Sequence, residues 1–116
     1  MKLRVTVTLA VVFVISGCAG QPSIDYFWGD YSQTLYALKV SPSPETEQRH
    51  IDEMERIIIN SEKKGYRIPP GVQAELGYRY AQRGDPQKAS SLFQGELADY
   101  PESRLFVEKL QGMLTE

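Results

Sequence analysis

The sequence predicts an all-α fold of antiparallel helix pairs with flanking cap helices. Three observations lead there. Apolar residues recur at three- and four-residue spacing in several stretches, the period of one helix face. Pro, Gly and Asp cluster between those stretches, where helices stop and start. No stretch keeps the apolar–polar alternation of a strand. The chain has 116 residues, 41% hydrophobic and 24% charged, a mix that suits one packed domain.

Composition also narrows the chemistry. The chain has one Cys and one His. A disulfide framework needs at least two cysteines, and a zinc site usually draws on several Cys or His ligands, so neither is expected and no cofactor is implied. The formal net charge of -2, from 13 Lys+Arg against 15 Asp+Glu, argues against a nucleic-acid partner.

The first element, residues 1–17, reads as a targeting segment. Lys2 and Arg4 give a basic start, Val5 to Ile15 run apolar apart from Thr6 and Thr8, and Ser16 and Gly17 precede Cys18. That order describes a secretory signal peptide; the apolar run is short of the roughly 20 residues of a membrane-spanning helix. Ile15-Ser16-Gly17-Cys18 resembles the lipobox of bacterial lipoproteins. The resemblance implies that the Cys18 thiol takes a diacylglyceryl group, that the chain is cut before it, and that the new amine is acylated. One acyl chain holds a protein to a membrane only marginally and stable anchoring takes two signals, so a triply acylated cysteine would anchor permanently. Ala19 in place of Asp implies, by the same resemblance, the outer membrane. Removing residues 1–17 leaves 99 residues and, without Lys2 and Arg4, a charge of -4.

Residues 18–24 then form the lipidated Cys and its tether. Six residues, Ala19 to Ile24, reach at most about 20 Å. Residues 25–116 form the helical domain. It opens on aromatic sequence: Tyr26, Phe27, Trp28, Tyr31 and Tyr36 are five of the 12 aromatic residues of the chain. Gly29-Asp30 reads as a turn into a helix, with Tyr31, Leu35 and Leu38 at helical spacing. These rings suit an N-terminal clasp on the helical body, a partner-binding patch or contact with lipid headgroups.

Ser41-Pro42-Ser43-Pro44 breaks the chain, and Pro44 can open the next helix. That helix is expected from Glu45 to Lys64, with Glu45 and Glu47 at its positive end and Lys63 and Lys64 at its negative end. Ile51, Met54, Ile57, Ile58 and Ser61 fall on one stripe, and Gly65 reads as the stop. His50 reads as a surface or half-buried structural residue. Arg67 to Gly71 is a second break. A helix is expected from about Gly71 to Arg83, closed by Gly84. Asp85 and Pro86 open another, running to about Asp99. Tyr100-Pro101 breaks it. A last amphipathic helix from Ser103 to Leu114 carries Leu105, Phe106, Leu110, Met113 and Leu114.

Leu76-Gly77, Tyr80, Gly84-Asp85, Ala89, Phe93 and Pro101 carry spacing that resembles a tetratricopeptide repeat, a 34-residue helix–turn–helix unit. Gly77 and Ala89 would let two helices approach, Leu76, Tyr80 and Phe93 would fill the space beside them, and Pro101 would end the second. Two positions depart from the pattern: Gln73 stands where an aromatic is expected and Glu96 where a small residue is expected. About one repeat is therefore read, with the helices of residues 45–64 and 103–114 as caps. Tyr78 and Gln82 fall outside the packing set and become candidates for the concave surface. Arg79, Arg83, Lys88 and Arg104 read as ordinary surface charge.

The lipobox, the YFWGDYSQTLY segment, the KKGYRIPPG break and the LGYRYAQRGD core together resemble a family of small bacterial lipoproteins of unknown function. Members tend to be encoded beside a lipoprotein resembling the curli secretion channel, which implies an envelope protein as partner. The expected role is a protein–protein interaction or assembly module, anchored to the outer membrane through Cys18 and facing the periplasm. Tyr26, Phe27, Trp28, Tyr31, Tyr36, Tyr78 and Gln82 are its candidate contact residues. No catalytic residue is singled out. Asp52 with Glu55, and Glu53 with Arg56, read as a solvated helix face, and no Ser, Cys or metal motif is present. An envelope-polymer (peptidoglycan) enzyme and a purely structural envelope protein are the alternatives.

Overall fold

Local start and stop signals set the helices of the computed structural model, which describes residues 25–116. The expected signal segment, Cys18 and the tether lie outside the described residues. Five α-helices follow in order: α1 Tyr31–Val40, α2 Pro44–Lys64, α3 Val72–Gln82, α4 Pro86–Asp99 and α5 Arg104–Met113, with a 3-10 turn, Pro101–Ser103, before the last. Among the described residues the only β pairing is an isolated bridge between Tyr26 and Arg67. The fold is all-α, as expected. No helix of the described residues is long and apolar enough to cross a membrane.

The α2 start is a capping box. The Ser43 hydroxyl accepts the Thr46 N–H at 3.1 Å, and Thr46 Oγ1 accepts the Ser43 N–H at 2.9 Å, satisfying two donors that a helix end leaves open. Gly65 ends α2 at φ 67, the left-handed conformation that glycine adopts without penalty. Asp85 caps α4 by accepting the Lys88 N–H at 3.1 Å. The start of α3 has a different solution. Gly71 offers no side chain, and Glu96 of α4 reaches across to accept its N–H at 2.9 Å.

α3 and α4 form a hairpin and share the most extensive helix pairing among the described residues. A Cβ on Gly77 would lie 3.1 Å from the Phe93 ring and 3.2 Å from both the Ala89 carbonyl oxygen and Leu92 Cβ. The absence of a side chain at Gly77 thus sets the approach of the two helices. Ile51, Met54 and Ile57 of α2 meet Val72 and Leu76 of α3 in one apolar cluster, with Phe27, Tyr31, Ile58, Ile68, Tyr80 and Leu92 around it. Ala74, Ala89, Phe93 and Val107 form a second cluster that brings α5 onto the hairpin, and Tyr80 borders both.

The readings of His50, Glu53, Tyr78 and the apolar stripe of α5 need correction. His50 is fully buried, and so is Glu96. Glu53 and Gln73 are buried as well; each of these polar groups has a partner far along the chain, which local pattern does not reveal. Tyr78 belongs to the packing after all, lying half-buried against the second cluster. On α5 the buried residue is Val107, while Leu105, Phe106 and Met113 are exposed. The helix packs on the hairpin through Val107, Leu110 and Leu114, a face rotated from the apolar stripe that Leu105 and Phe106 suggest.

Candidate functional site

The aromatic N-terminal segment divides by position into structural and exposed rings. Gly29 turns the chain at φ 48, and a side chain there would run into Glu53 and Arg56. The turn is pinned from α2: the Asp30 N–H donates to Glu53 Oε1 at 2.7 Å. Arg56 grips the same carboxylate through Nε at 2.8 Å and Nη2 at 2.7 Å, the two-pronged geometry that makes such pairs strong. Phe27 packs on the first cluster, with the Arg56 guanidinium 5.4 Å and the Lys64 ammonium 4.6 Å from its ring centre. Tyr26 and Trp28 meet edge-on at 6.4 Å, and Trp28 and Tyr31 at 5.5 Å. Trp28 is 41% exposed.

Tyr31 leads inward. Its hydroxyl donates to Glu75 Oε2 on α3, and its ring tilts over His50 at 5.1 Å. His50 Nε2 lies 2.9 Å from Glu75 Oε1, and Nδ1 lies 2.8 Å from Thr34 Oγ1. One continuous polar chain, Thr34–His50–Glu75–Tyr31, therefore ties α1 to α2 and α3. Arg79 adds a longer ion pair to Glu75 at 3.7 Å, so it is more than ordinary surface charge.

A hydroxyl, an imidazole and a carboxylate in this order is the arrangement that activates a nucleophile. Here it is sealed. His50 is fully buried and Thr34 is 8% exposed, and Thr34 Oγ1 also lies 3.1 Å from the Tyr31 carbonyl oxygen. A substrate carbonyl has no approach to that oxygen, and the chain serves as an interhelical lock. Among the described residues no group of three or more His, Cys, Asp or Glu side chains is placed to hold a metal ion.

The lock has an electrostatic signature. Burial pushes the Glu75 carboxyl up, but hydrogen bonds from His50 and Tyr31 and the charge of Arg79 outweigh it and hold it below its usual 4.5. Burial likewise opposes, and the bonds from Arg56 and Asp30 overcome, to hold Glu53 below 4.5. Burial, and then the bond to Glu75, push the Tyr31 hydroxyl up. The folded chain thus releases the two carboxyl protons more readily than the unfolded chain. The stability this supplies is complete above about pH 4.5 and is lost as pH falls through the depressed folded values. Urea midpoints measured against pH should therefore fall below about pH 4.5, with a shallower fall in Glu75→Gln. An identical acid limb in that variant would remove Glu75 as its source.

The other candidate residues lie elsewhere. Tyr36, on α1, is 70% exposed and takes no part in these ring contacts. Gln82 is exposed at the end of α3, in a groove shared with Leu38, Pro42, Arg79 and Arg83. Arg83 there donates to Gln48 at 2.7 Å and pairs with Glu47 at 3.9 Å. Lys88 is paired with Glu55 at 2.9 Å and sits 3.9 Å above the Tyr80 ring. Thr34 and Glu75 are the residues that sequence reasoning missed, and for His50 and Glu53 it missed the burial. Their separations of 16 to 44 positions from their partners leave no local signal.

A family model described as a domain of unknown function, DUF4810, matches residues 26–110. No curated protein and no solved structure matches the chain.

Proposed function

The chain belongs to the DUF4810 family, and from that premise we propose that it is a lipid-anchored outer-membrane lipoprotein acting as an interaction or assembly module in the bacterial cell envelope. The observation that carries the reading is Ile15-Ser16-Gly17-Cys18 at the end of a short apolar run with a basic start. A thiol is the group that accepts the lipid, and the small residues before it give a peptidase access to the bond. The order signal, lipidated Cys18, tether, helical domain follows from it. Ala19 favours the outer membrane by resemblance, with the helices facing the periplasm.

The helical domain is read as about one tetratricopeptide-like unit with flanking helices. The close approach at Gly77 and the burial of Leu76, Ala89 and Phe93 support that reading. Such units act by presenting surface to another protein, and the proposed partner is an envelope protein of the curli-secretion-channel-like kind. Tyr36 and Gln82 are the contact residues best suited to it, because both are exposed and neither has a role in the interhelical lock. Phe27 and Tyr31 are committed to the fold.

Two measurements test the proposal. Cys18→Ser should abolish incorporation of labelled fatty acid and leave the protein uncleaved or soluble. Crosslinking in intact cells followed by mass spectrometry should recover a specific envelope protein, and Tyr36→Ala with Gln82→Ala should weaken that crosslink several-fold. Undiminished lipid labelling in Cys18→Ser, or crosslinks to abundant porins alone, would count against it.

A further inference from the structure

The end of the domain where the chain enters the fold carries a second surface. Tyr26 bridges to Arg67, which places the entry of the chain beside the connection between α2 and α3. Phe27 brings the end of α2 to the same place, since Lys64 lies 4.6 Å from the Phe27 ring centre and 5.8 Å from that of Tyr66. Two amphipathic rings are left partly in water there: Trp28 is 41% and Tyr66 39% exposed. Trp28 is held in place edge-on between Tyr26 and Tyr31. Lys63 and Lys64 are exposed, and among the described residues neither is in an ion pair.

We infer that this end, with Trp28, Lys63, Lys64 and Tyr66 at its surface, is a membrane-docking face that lies against anionic lipid headgroups. The inference rests on the lipoprotein reading for its geometry. Residues 19–24 span at most about 20 Å, so an acylated Cys18 would hold the chain entry within that distance of the bilayer. Two observations choose lipid as the occupant. Trp and Tyr with one polar edge favour the headgroup level, and Trp28 next to Phe27 in sequence and Tyr66 next to Arg67 are the part-exposed rings at the chain entry. The chain is acidic overall, at -2, yet at this end Lys63 and Lys64 stand exposed and outside any ion pair of the described residues, with the exposed Glu62 next to them in sequence. Two unpaired lysines beside the chain entry draw that end towards an anionic surface.

Trp28 is the one tryptophan of the chain and therefore a site-specific reporter. The full-length protein, purified from membranes and reconstituted into phosphatidylglycerol vesicles with some acyl chains brominated near the headgroup, should show strong quenching of Trp28 fluorescence and protection from aqueous iodide. Each lysine near such a surface contributes about fivefold to contact. Lys63→Gln with Lys64→Gln should therefore sharply reduce the quenching, as should phosphatidylcholine vesicles, at unchanged helix content by circular dichroism. Tyr66→Ser is an independent second variant with the same expected direction. The mass of the Cys18 peptide separates the two readings. If Cys18 is acylated and Trp28 stays open to iodide and unquenched by bromine, the docking face is overturned and the lipoprotein reading stands. If Cys18 carries no lipid, the chain is added to the same vesicles. Quenching then upholds the face without the anchor, and its absence overturns both.

Discussion

Replacing His50 by alanine is expected to lower stability by about 3 kcal/mol. The imidazole is fully buried and joins groups from two other helices. Glu75 is held ionised, so Nε2 carries a proton and donates to it at 2.9 Å. In the neutral ring, Nδ1 then accepts the Thr34 hydroxyl proton across 2.8 Å. In the protonated ring, Nδ1 donates to Thr34 and the hydroxyl turns to the Tyr31 carbonyl oxygen at 3.1 Å. Both states leave every member bonded, which is what a buried polar chain needs to stabilise a fold. Alanine removes the shared centre, leaves a cavity, and leaves Thr34 only the Tyr31 carbonyl oxygen and Glu75 Oε1 only the longer pair with Arg79. Thr34 is the one buried residue of α1, and with the Tyr31 hydroxyl bond to Glu75 it ties α1 down through polar bonds, so this helix is strongly exposed to their loss. Hydrogen exchange of α1 amides in His50→Ala should approach that of a locally opened segment. A double-mutant cycle with Glu75→Ala should give a coupling of at least about 1 kcal/mol. A total loss below 1 kcal/mol with α1 still protected would mean that apolar packing alone holds it.

That lock marks the boundary of what the chain's own pattern reveals. Both ends of α2 and the start of α4 were legible because their determinants are neighbours: Pro44 in the first turn, Gly65 after Lys64, Asp85 before Pro86; the Ser43–Thr46 capping box is equally local and went unread. The apolar stripe of Ile51, Met54 and Ile57 was legible for the same reason, since one helix period places all three on one face. The burial of His50, Glu53 and Glu96 was not. A buried polar side chain is tolerated because of a partner, and these partners come from other helices or distant turns: Thr34 and Glu75, the Asp30 N–H, the Gly71 N–H. The two departures from the repeat spacing, Gln73 and Glu96, belong to this set. Glu96 caps α3 and also accepts from the Ser103 hydroxyl at 3.0 Å, while Gln73 Nε2 donates to Asp99 at 2.9 Å. Polar bonds do there what an aromatic and a small residue would do by packing. The exposed stripe on α5 misled in the opposite sense: amphipathic spacing names an apolar face, and only the neighbouring helices decide which face is covered.

Gly77→Val is expected to destabilise the domain by about 3 kcal/mol, a fall in Tm of more than about 12 °C for a domain of this size. Ordinary helix physics says otherwise for a small side chain, because Gly inside a helix costs roughly 1 kcal/mol relative to Ala. The sign turns on what the new atoms meet. A first Cβ would lie 3.1 Å from the Phe93 ring and 3.2 Å from the Ala89 carbonyl oxygen. The ring can tilt by a few tenths of an ångström, but the carbonyl belongs to the backbone of α4 and moves only with the helix. Alanine therefore sets the propensity gain against a tight contact, and Gly77→Ala should come out within about 1 kcal/mol of the parent. Valine adds two methyl groups and must push α3 from α4. That displacement also stretches the Glu96 bond to the Gly71 N–H and the Gln73 bond to Asp99, which cross the same pair of helices. A Phe93→Ala change made together with Gly77→Val should recover part of the loss by removing the ring, while the Ala89 carbonyl contact remains. If valine were accepted with no change in Tm, the approach of α3 and α4 would not depend on the missing side chain, and the support that Gly77 lends to a repeat-like helix pair would fall with it.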